Sequence, residues 1–209
     1  MADANTTKQT PSPVERLREL LRGGNLVRSA DLAELGIPRV YLSRLVGTGE
    51  LARCARGIYR AADGEVDENH SLASVALRVP EGVICLLSAL RFHGLTTQSP
   101  FEVWLGIDRK ARTPRLDFPP LHIVRFSESH RREGVNLHSI EGVPVRITNP
   151  ARTVMDCFAY RNTVGIDIAI EALRDCLRLH KSSVDDLYRA AKSRQMTRVV
   201  QPYLESILS

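Results

Sequence analysis

Apolar residues recur along this chain first at helical spacing, then in alternating runs, then at helical spacing again. Val14, Leu17, Leu20 and Leu21 share one face of a first helix predicted over 14–22, which Gly23-Gly24 ends. Ser29 is placed to cap a short second helix with apolar Leu32, Ala33 and Leu35. Gly36 supplies a left-handed stop and Ile37 plugs the turn. Pro38 suits the first turn of a third helix, in which Leu42, Leu45 and Val46 form a buried stripe at i, i+3 and i+4. Val40, Tyr41, Ser43 and Arg44 point away from that stripe, and Arg39 flanks its start. Gly47 to Gly49 break the helix, after which 51–53 and 57–60 pair as a hairpin.

Beyond the acidic stretch 61–69 (AADGEVDEN), the natural domain boundary, the pattern changes. A helix over 72–79 stops at Pro80. The apolar run 83–87 leads to Ser88, read as the cap of a helix ending near His93-Gly94. Four strands follow, at 101–107, 121–126, 136–140 and 143–147, the last two joined by a Glu141-Gly142 turn. After Asn149-Pro150 helices return at 151–160, 165–179, 184–193 and 197–208. The expected class is α+β: an N-terminal winged helix-turn-helix, then a small, mostly antiparallel sheet flanked by helices. The expected organisation is a polar tail (1–13), a winged helix-turn-helix domain (14–62) and an α+β domain (70–209).

Charge sharpens this division. Residues 1–60 carry ten Lys/Arg against six Asp/Glu, 61–107 two against six, and the remainder a net +5 within an overall +5. A basic first module suits a polyanion. The third helix would enter the DNA major groove, where Arg44 on its exposed face forks to guanine O6 and N7. Arg39, Tyr41 and Ser43 contact bases or phosphate. Arg53, Arg56 and Arg60 on the hairpin touch phosphates or the minor groove. The competing reading is a helical module for protein contacts, with these charges a solvated face. A second basic cluster, Arg109, Lys110, Arg112 and Arg115, lies between the first two strands and suits nucleic acid, a nucleotide phosphate or an acidic protein surface. Arg131 and Arg132 extend it.

The remaining candidates favour structure over catalysis. His93 precedes Gly94 at a helix end, where it can bond free carbonyls. His122 and His138 face each other across strands, but without the carboxylates or thiols of a metal site. Arg152 and Asp156, at i and i+4, pair on one helix face and anchor it to the sheet. Glu171 has no second acid at a defined spacing. Cys54, Cys85, Cys157 and Cys176 form no C-x-x-C pair, so reduced thiols are expected. No signal peptide is legible, and no apolar run approaches the ~18 residues of a membrane span. The expected location is therefore the cytoplasm, with no membrane partner. Phosphate-loop, nucleophile-elbow, zinc-protease and nucleotidyltransferase signatures are lacking, so no enzyme, cofactor or metal is expected.

Ser88-Ala89-Leu90 followed by His93-Gly94-Leu95-Thr96, the basic loop, and Asn149-Pro150-Ala151-Arg152-Thr153-Val154 with Asp156 resemble the abortive-infection AbiEi family of type IV antitoxins. The resemblance spans about residues 14 to 205. It implies a repressor that binds inverted repeats upstream of its own operon. It also implies an antitoxin domain that counteracts a nucleotidyltransferase toxin without needing a stable complex. No leucine-zipper heptad is present, so a monomer or weak dimer assembling on DNA is expected. A rival reading is a ligand-sensing regulator, which requires a pocket of convergent polar groups in the second domain. Another is a metal-dependent nucleic-acid-processing enzyme centred on 109–115.

Overall fold

The computed structural model describes residues 12–21, 24–34 and 36–208, with the backbone alone at positions 13, 14 and 39. The chain forms two compact units, Met1–Asp67 and Glu68–Ser209. The first unit opens with α1 (Pro13–Leu21). Ser12 and Glu15 cap its start reciprocally, Ser12 Oγ accepting from the Glu15 N–H and the Glu15 carboxylate from the Ser12 N–H. Pro13, expected in the polar tail, is the first residue of the helix, and Ser12 stands outside it as the capping residue. Val14's side chain and residues 22 and 23 lie outside the described residues.

β1 (Val27–Arg28) runs directly into α2 (Ser29–Glu34). Ser29 is the first helical residue and not its cap, and the Asp31 carboxylate instead accepts from the Arg28 N–H at 3.1 Å. Gly36 takes φ +72°. Its N–H and that of Ile37 donate to Ala33 and Leu32, a left-handed helix stop with Ile37 buried behind it. Leu35 lies outside the described residues. Pro38 is the N-cap of α3 (Arg39–Gly47), one position earlier than the first-turn placement. Leu42 and Leu45 are buried, whereas Val46 stays 36% exposed. The inward stripe is therefore narrower than its i, i+3, i+4 spacing implied. β2 (Leu51–Ala55) and β3 (Ile58–Ala61) are antiparallel, with Gly57 at φ +76° in their turn. β3 also pairs with β1, giving a three-stranded sheet in the order β1-β3-β2. Leu17, Leu21, Leu32, Ile37, Leu42, Leu45 and Leu51 form the core of this unit.

The second unit begins with α4 (His70–Arg78), followed by β4 (Val83–Ile84), α5 (Leu86–His93), β5 (Val103–Asp108) and β6 (Leu121–Phe126). Next come α6 (Glu128–Arg132), β7 (Val135–Ile140) and β8 (Val143–Thr148). The chain ends in α7 (Pro150–Ala159), α8 (Arg161–Val164), α9 (Ile166–Arg178), α10 (Val184–Ser193) and α11 (Thr197–Leu208). Cys85 is the N-cap of α5, so Ser88 does not cap it. Buried inside the helix, Ser88 accepts the Trp104 N–H with its Oγ at 2.9 Å and ties α5 to β5.

The α+β class is as expected, but the five-stranded sheet is evenly mixed and not mostly antiparallel. Its order is β6-β5-β4-β8-β7, with β5·β6 and β4·β8 parallel and β4·β5 and β7·β8 antiparallel. A parallel neighbour needs a crossover of about a dozen residues. The stretch between β5 and β6, which carries the basic cluster, supplies it. Glu141 and Gly142 both take positive φ, 49° and 73°, as the two-residue hairpin turn between β7 and β8 requires. Helices α5, α7 and α9 to α11 supply most of the core, Leu86, Leu90, Val154, Phe158, Leu173, Leu187 and Leu204 among it.

Gly106 on β5 lies under the Phe126 ring, and a Cβ there would overlap it. Gly106→Ala should destabilise the second unit by roughly 1–3 kcal/mol through overpacking. Gly47→Ala, where nothing lies within 4 Å, should stay within about 0.5 kcal/mol of the parent. Urea unfolding of the two variants checks this, and equal midpoints would contradict the packing argument.

Candidate functional site

In the first unit, the stop at Gly36 turns the chain so that α3 buries Leu42 and Leu45 and leaves its other face to solvent. On that face Val40 is 71% and Tyr41 39% exposed, with Ser43 and Arg44 exposed beside them. The side chain of Arg39 lies outside the described residues. Arg53 is exposed on β2, and its Nε donates to the Ala55 carbonyl at 3.4 Å. Arg56 occupies the hairpin turn with Gly57. Arg60 differs from these. It is half-buried, and its Nη1 donates to the carbonyls of Ala61 at 3.2 Å and Gly64 at 2.6 Å, clamping the end of β3 to its own backbone.

In the second unit, Arg109, Lys110, Arg112 and Arg115 are all exposed on the β5–β6 crossover. The loop is braced from below by a residue sequence reasoning passed over. Arg125 on β6 donates to the carbonyls of Asp108 at 3.0 Å and Ala111 at 2.5 Å, and to Thr113 Oγ1 at 2.8 Å. Asp108 in turn accepts the Lys110 N–H, and this bond is the main reason its carboxyl titrates below the usual range. Arg131 does not extend the patch as a free cation, since its Nη2 sits 3.1 Å from Asp108 and its side chain is 20% exposed. Arg132 is exposed and paired with Glu128.

His122 and His138 do not face each other, because β6 and β7 are opposite edges of the sheet. His122 stacks on Trp104 with ring centroids 3.7 Å apart and bonds Glu102, while His138 packs edge-on to Phe92. Among the described residues no group of three His, Cys, Asp or Glu is placed to hold a metal ion. The four cysteines are free, and burial pushes the Cys85 and Cys157 thiols up, leaving them as apolar filling. No helix among the described residues is long and apolar enough to cross a membrane.

Arg152 and Asp156 are not a surface pair. The Arg152 side chain is 5% exposed and that of Asp156 fully buried, with Nε 3.2 Å from Oδ2. Arg152 also donates from Nη1 to the Glu133 carbonyl, and its guanidinium lies 5.2 Å from the Phe126 ring centre. Gly134 makes room for it, since a Cβ there would come within 2.9 Å of Arg152 Cδ. A second guanidinium, of Arg194 at the C-cap of α10, places Nε 2.5 Å from Asp156 Oδ1. That contact lacks the alignment of a hydrogen bond, so it is Coulombic. No local spacing could reveal Arg194, which meets Asp156 only through the packing of α10 on α7. Arg152 and Arg194 are both among the residues that line a cavity of about 550 Å³. Asn149 caps α7 at its edge, its Oδ1 accepting the Arg152 N–H at 2.9 Å.

A helix-turn-helix with a solvent-facing third helix and an adjoining hairpin defines a DNA-binding class of module. Residues 15–62 match the family described as a transcriptional regulator, AbiEi antitoxin. The fold is similar to that of the RV2827C protein from Mycobacterium tuberculosis, with a TM-score of 0.57 at 16% identity, covering 91% of this chain and 75% of that one. At that identity the likeness concerns the fold alone. No curated protein matches the chain significantly.

His93, 9% exposed, uses Nε2 to donate to the Thr148 carbonyl at 2.7 Å, joining the end of α5 to the end of β8. Burial holds its pKa below the ordinary 6.5. The unfolded chain thus takes up a proton before the native one does. The stability from the neutral imidazole is full above pH 6.5 and declines as the pH falls towards the lower native value. His93→Gln keeps a donor for Thr148 and removes this titration. Urea unfolding between pH 7.5 and 5 should show a shallower acid limb for the variant, with a residual slope to which His130, shifted the same way by burial, and the lowered carboxylates contribute. An unchanged slope would rule His93 out as its source.

Proposed function

We propose that this protein is an antitoxin that represses its own operon and counteracts a nucleotidyltransferase toxin. The N-terminal unit, acting as a winged helix, binds inverted-repeat operator DNA. The second unit counteracts the toxin, functionally and without a required stable complex. The protein works in the cytoplasm as a non-enzyme, a monomer or weak dimer that assembles on DNA. The observation that carries this reading is the solvent-facing side of α3, with Tyr41, Ser43 and Arg44 on it, inside the segment that matches an antitoxin regulator family.

Arg44 serves as the base reader, with Arg39, Tyr41 and Ser43 beside it. Arg53 and Arg56 hold phosphates next to the hairpin. Arg60, turned onto its own backbone, acts by fixing the hairpin. The exposed cluster at Arg109, Lys110, Arg112 and Arg115 supplies the second unit with a surface for an anionic partner. A ligand-responsive regulator without antitoxin activity is the second reading, and the polar cavity beside Arg152 and Arg194 favours it.

Co-expression tests the main reading. Induction of the adjacent open reading frame should arrest growth, and this chain should restore it. A harmless neighbour, or unrelieved toxicity, would leave the ligand-responsive regulator as the better account.

Fluorescence anisotropy on the upstream intergenic DNA tests the interface. Arg44→Ala should weaken binding by about 1–3 kcal/mol and relax specificity, while Arg53→Ala should weaken all sequences alike and lower the salt slope by about 1. Wild-type affinity in Arg44→Ala would remove it from the reading set.

A further inference from the structure

The cavity floor in the second unit carries more positive charge than its partners neutralise. Arg152 and Arg194, with side chains 5% and 8% exposed, share the single carboxylate of Asp156. Arg152 Nη2 is buried with no hydrogen-bond partner. Burying an uncompensated charge is expensive, so two guanidiniums against one carboxylate create a standing demand for an anion. Two acids lie in the wall: Asp186 is paired with Arg189, and Glu133 accepts from Ser193 Oγ at 3.0 Å. Counted with Asp156 they make three carboxylates against the four cations Arg152, Lys181, Arg189 and Arg194, so a net positive charge remains.

Other groups at the cavity add positive potential. Its lining includes Asn149, Pro150 and Ala151, the start of the ten-residue α7, where the helix dipole favours negative charge. Lys181 is exposed at the rim. His130, beside the two arginines, is kept from protonating first by burial and then by their charges. A cavity of about 550 Å³ falls within the range that takes small molecules.

We infer that this cavity binds the phosphate head of a small phosphorylated molecule, with Arg194 and Lys181 meeting the oxyanion and Arg152 adding positive charge from behind the wall. A guanidinium fork also suits a carboxylate. The excess guanidinium charge together with Lys181 and the helix terminus matches a phosphate better than a single carboxylate. Every residue in this assignment belongs to the second unit.

Thermal unfolding of the full chain, in chloride, inorganic phosphate or acetate at matched ionic strength, tests this. Phosphate should raise the melting temperature saturably, and acetate and chloride should not. Arg194→Gln leaves Arg152 and Asp156 as a one-to-one pair, so it should fold and require at least ten times more phosphate for half-saturation. Lys181→Ala, at an exposed position, should weaken the response several-fold and decides the matter if Arg194→Gln does not fold. A phosphate response no larger than that of chloride would overturn the proposal. So would one that Lys181→Ala, and Arg194→Gln if folded, retain unchanged. An acetate response equal to that of phosphate would overturn the phosphate assignment in favour of a carboxylate head.

Discussion

The Asp156 carboxylate is the point at which the second unit is tied together. It is fully buried on α7 and lies against one guanidinium from its own helix and another from the end of α10. Arg152 also reaches the backbone carbonyl of Glu133, between α6 and β7, and lies over Phe126 of β6. Helices and sheet are thus bound through one charge that water does not reach. Desolvation of such a group offsets much of its attraction, while removal of one partner leaves a buried charge uncompensated. Next to it, the hydroxyls of Thr148 and Thr153 lie 2.7 Å apart, and the Thr148 carbonyl accepts from His93 and Thr153. The polar ends of β8, α5 and α7 are therefore satisfied by one another.

The first unit relies on backbone geometry where the second relies on charge. Gly36 at φ +72° ends α2, Ile37 fills the corner, and Pro38 starts α3 from an extended conformation. Three successive residues thereby set the angle at which α3 leaves the core. The exposed face of α3 follows from that angle and from the burial of Leu42 and Leu45, and needs no interaction of its own.

Local signals made much of this legible. Gly36, the Glu141-Gly142 turn, the Asn149-Pro150 helix start and the spacing of α10 and α11 all announce themselves within a few residues, because turn and cap chemistry is short-ranged. What sequence did not disclose depends on partners distant along the chain. The parallel pairing of β5 with β6 cannot be read from alternation, which is the same for either direction. The i, i+4 spacing pairs Arg152 with Asp156, but their burial and the arrival of Arg194 are products of tertiary packing. Ser88 has a residue type favoured at helix caps, but it satisfies the Trp104 N–H instead. Arg60 could not be told from the other hairpin arginines until Gly64 was seen to fold back upon it.

The two-residue strand β1 carries a mechanical consequence. It leads without a break into α2, it pairs with the hairpin strand β3, and the Ser29 N–H donates to the Gly57 carbonyl at the hairpin turn. A force applied at the hairpin tip is therefore delivered to the root of the helix pair instead of dissipating in a loose loop. Phosphate gripped by the hairpin and bases met by α3 would act on a single lever. Under the proposed operator-binding function, this coupling would make binding depend on the distance between backbone and groove edge, and so on the local width of the duplex, as well as on base sequence.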